Sequence, residues 1–141
     1  MAETPARKPL PRPLPTPCHT TKPFWEAARK GKLALQYDPL AKRYQFWPRP
    51  ISVVTGQQNL EWRIVSGLGR VYSYTITHVP TAGFEGKTPY IVALIELDEG
   101  VRMIANMINV RPEGMNIGMR VKVDFEKLSD EINFFAFEPT E

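Results

Sequence analysis

Between Arg70 and Asn109 the apolar and polar positions fall into three runs separated by turn signals. Arg70–Val79 is rich in β-branched and aromatic residues. Pro89–Leu97 is almost wholly apolar, the pattern of a strand buried on both faces. Val101–Asn109 alternates, with Val101, Met103, Ala105 and Met107 on one side and Arg102 and Asn106 on the other. Asp98-Glu99-Gly100 supplies a glycine where a positive φ is needed, so the second and third runs are predicted to form a hairpin. Farther on, Met119–Phe125 alternates with Val121, Val123 and Phe125 inward, and Ile132–Phe137 forms a last strand. Residues 111–118 leave room for one short helical turn at most. Five short strands with few helical residues between them predict a small barrel of the OB type. A seven-stranded sandwich would need more chain.

Upstream the period changes. Thr20-Thr21-Lys22-Pro23 reads as a helix start with a Thr cap and Pro in the first turn. The helix continues through Lys30 and stops at Gly31. Two turns do not hold alone, so Phe24, Trp25 and Ala28 need a surface. They can dock on the β-domain or bind a partner chain, where aromatics are common. Lys32–Tyr37 and Arg43–Trp47 alternate around a turn at 38–42 and predict a hairpin. Leu60–Val65 is read as entering the β-domain. Residues 1–17 carry six prolines, at 5, 9, 11, 13, 15 and 17, and little that could build a core. The organisation is therefore mainly β: a disordered or draped Pro-rich arm at 1–19, a helix plus hairpin at 20–62, and a barrel at 63–141.

Composition narrows the function. No apolar run approaches the ~20 residues that span a bilayer, and the basic N-terminus lacks an apolar signal core. The expectation is a cytoplasmic protein with no membrane partner. The single cysteine, Cys18, excludes an intramolecular disulfide and a cysteine-rich metal site. A net charge of +3 suits an anionic ligand or partner and is weak for a dedicated nucleic-acid binder. His19 and His78 have no catalytic neighbours in sequence. There is no P-loop, dinucleotide fingerprint or nucleophile elbow. The chain is not expected to be an enzyme alone.

The order of parts carries a resemblance. Phe24-Trp25-Glu26, Gly31-Lys32-Leu33, Gln36, Pro48-Arg49-Pro50, Leu60-Glu61-Trp62, the run from Ser66 to Thr75, Pro89–Leu94 and Ile117-Gly118-Met119 resemble the zinc-ribbon/OB-fold family long filed as domain-of-unknown-function thirty-five. Members of that family have a rubredoxin-like ribbon ahead of the barrel, with zinc on two Cys-x-x-Cys knuckles. Matched to this chain, the knuckle positions are Asp38 and Ala41, then Ser52 and Thr55, and all four cysteines are missing. Tetrahedral zinc needs four suitable ligands. A metal-free ribbon is expected, with its hairpin held by Tyr37, Tyr44, Phe46 and Trp47, and with no tightly bound cofactor.

The resemblance implies a non-catalytic accessory subunit of a thiolase-like, acyltransferase or aldolase complex. Such a subunit would bind or help channel acyl-CoA and assemble with a thiolase-fold or aldolase protein. Self-association is left open. A coenzyme A site needs Arg or Lys beside an aromatic or aliphatic trough. The candidates are Arg49 next to Trp47, Lys42 and Arg43 at the hairpin tip, and Arg70 beside the face of Tyr72 and Tyr74. The rival class is a single-stranded nucleic-acid-binding OB protein. It would use Tyr72 and Tyr74 as a stacking platform with Arg102, Arg120 and Lys122 as its charge. The carboxylates Glu96, Asp98, Glu99, Asp124 and Glu126 dilute that charge and weigh against it.

Overall fold

The computed structural model describes residues 12–141. Residues 1–11, most of the Pro-rich arm, lie outside the described residues. From Arg12 to Pro17 the chain runs without helix or strand. Helix α1 (Lys22–Arg29) follows. Then come β1 (Leu33–Asp38), β2 (Arg43–Gln45), β3 (Glu61–Val65), β4 (Leu68–Thr77), β5 (Tyr90–Leu97) and β6 (Arg102–Met107). A 3-10 turn at Pro112–Gly114 leads to β7 (Arg120–Lys127) and β8 (Asn133–Pro139). No helix among the described residues is long and apolar enough to cross a membrane.

Strands β4 to β8 close a five-stranded barrel in the order β4-β5-β6-β8-β7. All neighbours pair antiparallel except β6 and β8, which meet in parallel at Met107 and Phe137. This is the expected OB architecture. Its core is built by alternate residues: Val71 on β4, Ile91, Ala93, Ile95 and Leu97 on β5, Met103 and Ala105 on β6, Val121 on β7, and Phe135 and Phe137 on β8. The β5–β6 hairpin turns where the sequence places it, with Gly100 at φ 91°. β4 and β5 approach closely at Gly69. A Cβ there would meet the carbonyl oxygen of Glu96 at 2.5 Å, so glycine is required by space.

Two strand readings need correction. β5 is not buried on both faces. Its inward residues are buried and its outward ones, Tyr90, Val92, Leu94 and Glu96, are half-buried. The barrel interior covers one face, and the other is left half-buried. Leu60–Val65 does not enter the barrel either. β3 pairs along β1, from Leu33 with Val65 to Tyr37 with Glu61, and completes a separate sheet ordered β2-β1-β3. A boundary at 62/63 would cut this strand. Pairing partners distant in sequence decide which sheet a strand joins, and local pattern does not carry that information.

Helix α1 joins the two sheets. Phe24 and Trp25 are 1% and 4% exposed. Phe24 lies 5.6 Å edge-on from Phe135 of the barrel and 5.4 to 5.9 Å from Trp47 and Phe46 of the ribbon. Trp25 lies 5.6 Å from Phe134. These two aromatics are therefore spent inside the chain and are not available to a partner. Thr21 stands at the helix N-cap but makes no side-chain cap. Its hydroxyl instead accepts the Cys18 N–H at 3.0 Å.

Candidate functional site: the basic ribbon and its tip

The ribbon and the barrel carry opposite charge. Residues 32–65 hold Lys32, Lys42, Arg43, Arg49 and Arg63 against Asp38 and Glu61, a net +3. Residues 66–141 hold seven Lys and Arg against eleven Asp and Glu, a net −4. The barrel's cations are also largely paired. Arg102 meets Glu96 at 3.2 Å, Arg120 grips Asp98 bidentately at 2.8 and 2.9 Å, and Lys122 reaches Glu138 at 3.5 Å. By contrast, no ion pair among the described residues involves Lys42, Arg43 or Arg49.

The predicted ligand residues separate accordingly. Tyr72 and Tyr74 do not share a face. The β4–β5 register shifts between Val71 and Ser73, a β-bulge that inserts one residue and reverses the alternation. Tyr72 points outward, 47% exposed, with the Arg102 guanidinium 3.8 Å from its ring centre. Tyr74 turns inward opposite Ala93 and donates its hydroxyl to the Met115 carbonyl at 3.4 Å. Arg70 therefore stands beside one tyrosine whose ring face is already occupied by another arginine. The twin-tyrosine platform of a single-strand binder is not formed, and its proposed charges are neutralised in pairs.

On the ribbon, Lys42 adopts φ 54° at the hairpin tip and Arg43 opens β2, both exposed or nearly so. Trp47 stands two residues from Arg49, with its ring engaged by the helix. Its ring packs against Phe24 and Trp25. The aromatic beside Arg49 is Trp62, and the two line a groove of about 280 Å³ together with His19, Pro23, Gln36 and Gln58. Trp62 reaches the groove through the pairing of β3 with β1, and Gln58 through the loop before β3; no sequence signal marks either as a site residue. A larger groove of about 560 Å³ lies on another face of α1 beneath the arm. Its charged lining is mixed, Lys22 and Arg29 with Glu26 and Glu131, which suits a polyanion poorly.

The ribbon tip brings three of the four knuckle positions together. The Asp38 side chain is buried, 1% exposed. Its Oδ2 accepts the hydroxyls of Ser52 at 2.5 Å and Thr55 at 3.0 Å. Its Oδ1 accepts the backbone N–H of Leu40 at 2.9 Å and of Ala41 at 3.1 Å, and the Asn59 amide at 3.2 Å. The Ser52 hydroxyl leads in holding the Asp38 carboxyl down to about 2, against the opposing effect of burial and with help from the N–H groups of Ala41 and Leu40 and from Thr55. A second layer zips the same hairpin. Gln45 donates to Gln36 Oε1 and to the Ile51 carbonyl, both at 3.2 Å, and Gln36 holds both backbone groups of Arg49 at 2.8 Å.

This donor set does not fit zinc. A carboxylate has about four lone-pair sites, and five donors already converge on this one. Ala41 offers no ligand atom, and hydroxyls are not among zinc's usual ligands. Among the described residues no group of three or more His, Cys, Asp or Glu could hold a metal. The aromatics expected to hold the hairpin are accordingly secondary. Tyr37 and Tyr44 do meet, at 4.8 Å between ring centres, with Arg63 3.7 Å over the Tyr37 ring. Phe46 and Trp47, however, pack on α1. Exposed aliphatic side chains flank the Asp38 cluster: Leu40, Ile51, Val53 and Val54.

Comparison with known proteins agrees with this architecture. A family profile described as "ChsH2, C-terminal OB-fold domain" matches residues 62–126. The "Probable enoyl-CoA hydratase alpha subunit" of Thermomonospora curvata is 35% identical over 118 residues, covering 82% of this chain and 36% of that protein. A "DUF35 domain-containing scaffold protein" of Pyrococcus furiosus is 38% identical over 85 residues, covering 60% of this chain and 62% of that one. The chain thus spans less than two thirds of the length of either relative. A solved structure, "Ltp2-ChsH2(DUF35) aldolase", matches with a TM-score of 0.80 and 30% identity, covering 89% of this chain and 98% of that chain. With the barrel order, the ribbon sheet and the joining helix all in place, this chain belongs to the DUF35 family of zinc-ribbon/OB-fold proteins, as a member that lacks the zinc-binding cysteines.

Proposed function

We propose that this protein is a non-catalytic accessory subunit that assembles with a thiolase-fold, acyltransferase or aldolase subunit and contributes to binding that enzyme's acyl-CoA. The observation that carries the reading is the segregation of charge. A ribbon of net +3 bears Lys42, Arg43 and Arg49 without acidic partners among the described residues, and it stands on a barrel of net −4. Coenzyme A offers a polyanionic head and an apolar pantetheine arm, and the Arg49–Trp62 groove pairs a guanidinium with an aromatic wall. The exposed aliphatics of the ribbon tip suit a protein contact, since clustered apolar surface on a soluble domain marks interaction sites. The relatives described above support the class: a hydratase alpha subunit, a scaffold protein and an aldolase assembly.

The test is co-expression with a thiolase-fold or aldolase subunit, followed by size-exclusion chromatography and calorimetry with coenzyme A. A stable complex is expected, with coenzyme A affinity about tenfold weaker in Arg49→Ala, the loss of one charged contact of roughly 1.4 kcal/mol. Absence of both a complex and coenzyme A binding would sink the proposal.

A further inference from the structure

The frame of the ribbon matches a metal knuckle pair, yet its centre is a buried carboxylate. We propose that Asp38 has taken over the closing role of the metal, so that the ribbon is a metal-independent, carboxylate-centred knuckle pair whose geometry still accommodates zinc once the thiols are restored. Donors reach the carboxylate from every segment that the ion would have tied. Leu40 and Ala41 belong to the first knuckle, Ser52 and Thr55 to the second, and Asn59 to the approach to β3. Ser52 then extends the closure, its hydroxyl accepting the N–H groups of Val54 and Thr55 at 3.2 Å. Backbone bonds fix the second loop further: Ser52 N–H to the Gln57 carbonyl at 2.9 Å and Gly56 N–H to the Ser52 carbonyl at 3.0 Å.

The chemistry explains why a carboxylate serves here. An ion at this point would draw four side chains inward by coordination. A carboxylate with no cation beside it must instead be stabilised by hydrogen bonds, and those to a charged acceptor are about twice as strong as neutral ones. The cluster leaves one mark of this polarity. Asn59 presents its amide N–H to Asp38, which strands its own Oδ1, the one buried side-chain nitrogen or oxygen without a hydrogen-bond partner among the described residues. Positions 38, 52 and 55 already meet through these bonds. Ala41 places its N–H on the other oxygen of the same carboxylate, Asp38 Oδ1.

Three measurements on the full chain test the proposal. The wild-type protein should hold no stoichiometric zinc, and its thermal midpoint should not move with EDTA; a chelator-induced fall would overturn metal independence. Asp38→Asn should lower Tm by roughly 5 °C or more. Hydrogen exchange should then show lost protection at the amides of Leu40, Ala41, Val54 and Thr55, with the barrel amides of Ile95 and Met103 unchanged. Unchanged ribbon protection would overturn the role of Asp38. The combined replacement of Asp38, Ala41, Ser52 and Thr55 by Cys should bind one Co²⁺ with the thiolate-to-metal absorption of a tetrahedral site. A variant that keeps barrel protection yet binds no metal would overturn the retained geometry. Should that variant fail to fold, its failure counts against the retained geometry, and Asp38→Asn decides the role of the carboxylate.

Discussion

Asn133, near the start of β8, donates its side-chain amide to the carbonyl of Ala28 in the last turn of α1, at 3.2 Å. The same amide reaches the Arg29 carbonyl at 3.2 Å. The last carbonyls of a helix have no partners within it; the Ala28 carbonyl also accepts the Gly31 N–H at 2.9 Å, and the barrel strand adds to this closure of the joining helix. Asn133→Ala is expected to cost about 1 kcal/mol, the usual net worth of such a bond. Urea unfolding of the two proteins, compared at the same m-value, measures it.

Phe24 provides the larger test of how the sheets are joined. It touches Trp25, Phe46, Trp47 and Phe135, which come from helix, ribbon and barrel. Phe24→Ala is expected to destabilise the isolated protein by ~3–5 kcal/mol through the cavity it leaves. An unchanged unfolding curve, with a loss appearing only in a complex, would assign Phe24 to a partner instead.

The arm is held by one residue in particular. Arg12 meets Glu126 at 2.6 Å, with its guanidinium 5.1 Å from the Phe84 ring centre and 5.8 Å from that of Phe134. Arg12→Ala is expected to free the arm, raising backbone mobility at Leu14 and Thr16, while changing global stability by about 1 kcal/mol or less. NMR order parameters of the Leu14 and Thr16 amides report the release.

Acid should weaken both the ribbon tip and the Asp98–Arg120 pair. The folded Asp38 carboxyl is held at about 2, below its usual 3.8, principally by the Ser52 hydroxyl. Asp98 is also held low, chiefly by Arg120. A depressed carboxyl contributes stability above its unfolded pKa and loses it as pH falls toward the folded value. Stability should therefore decline between about pH 4 and pH 2, and the decline should be shallower in Asp38→Asn. Thermal melts across that range measure both.

The barrel was legible because its pattern is local. Alternation in β6 and the glycine at 100 identify the β5–β6 hairpin without reference to any other segment. The bulge at Tyr72 was not legible, since one inserted residue leaves composition unchanged and shows itself against the register of β5. The assignment of β3 failed for a related reason. An alternating run such as Glu61–Val65 pairs equally well with either sheet until β1 is in place beside it. The candidate site was legible in part. Arg49, Lys42 and Arg43 could be chosen by charge, whereas Trp62 enters the groove through a pairing that no short window contains. Asp38 reads in sequence as a turn residue or a failed ligand. Its five donors come from positions 40 to 59, and their convergence is a property of the fold.

The division of charge between ribbon and barrel has a kinetic consequence. Two joined bodies of opposite sign make the molecule a permanent electric dipole, and a dipole turns in an external field before it touches anything. Near a polyanionic surface the torque would swing the ribbon forward and leave the barrel trailing, so fewer encounters would be wasted on the wrong face. Salt shortens the reach of that field to about 8 Å at physiological ionic strength. The association rate should thus fall with added salt more steeply than the lifetime of whatever complex forms.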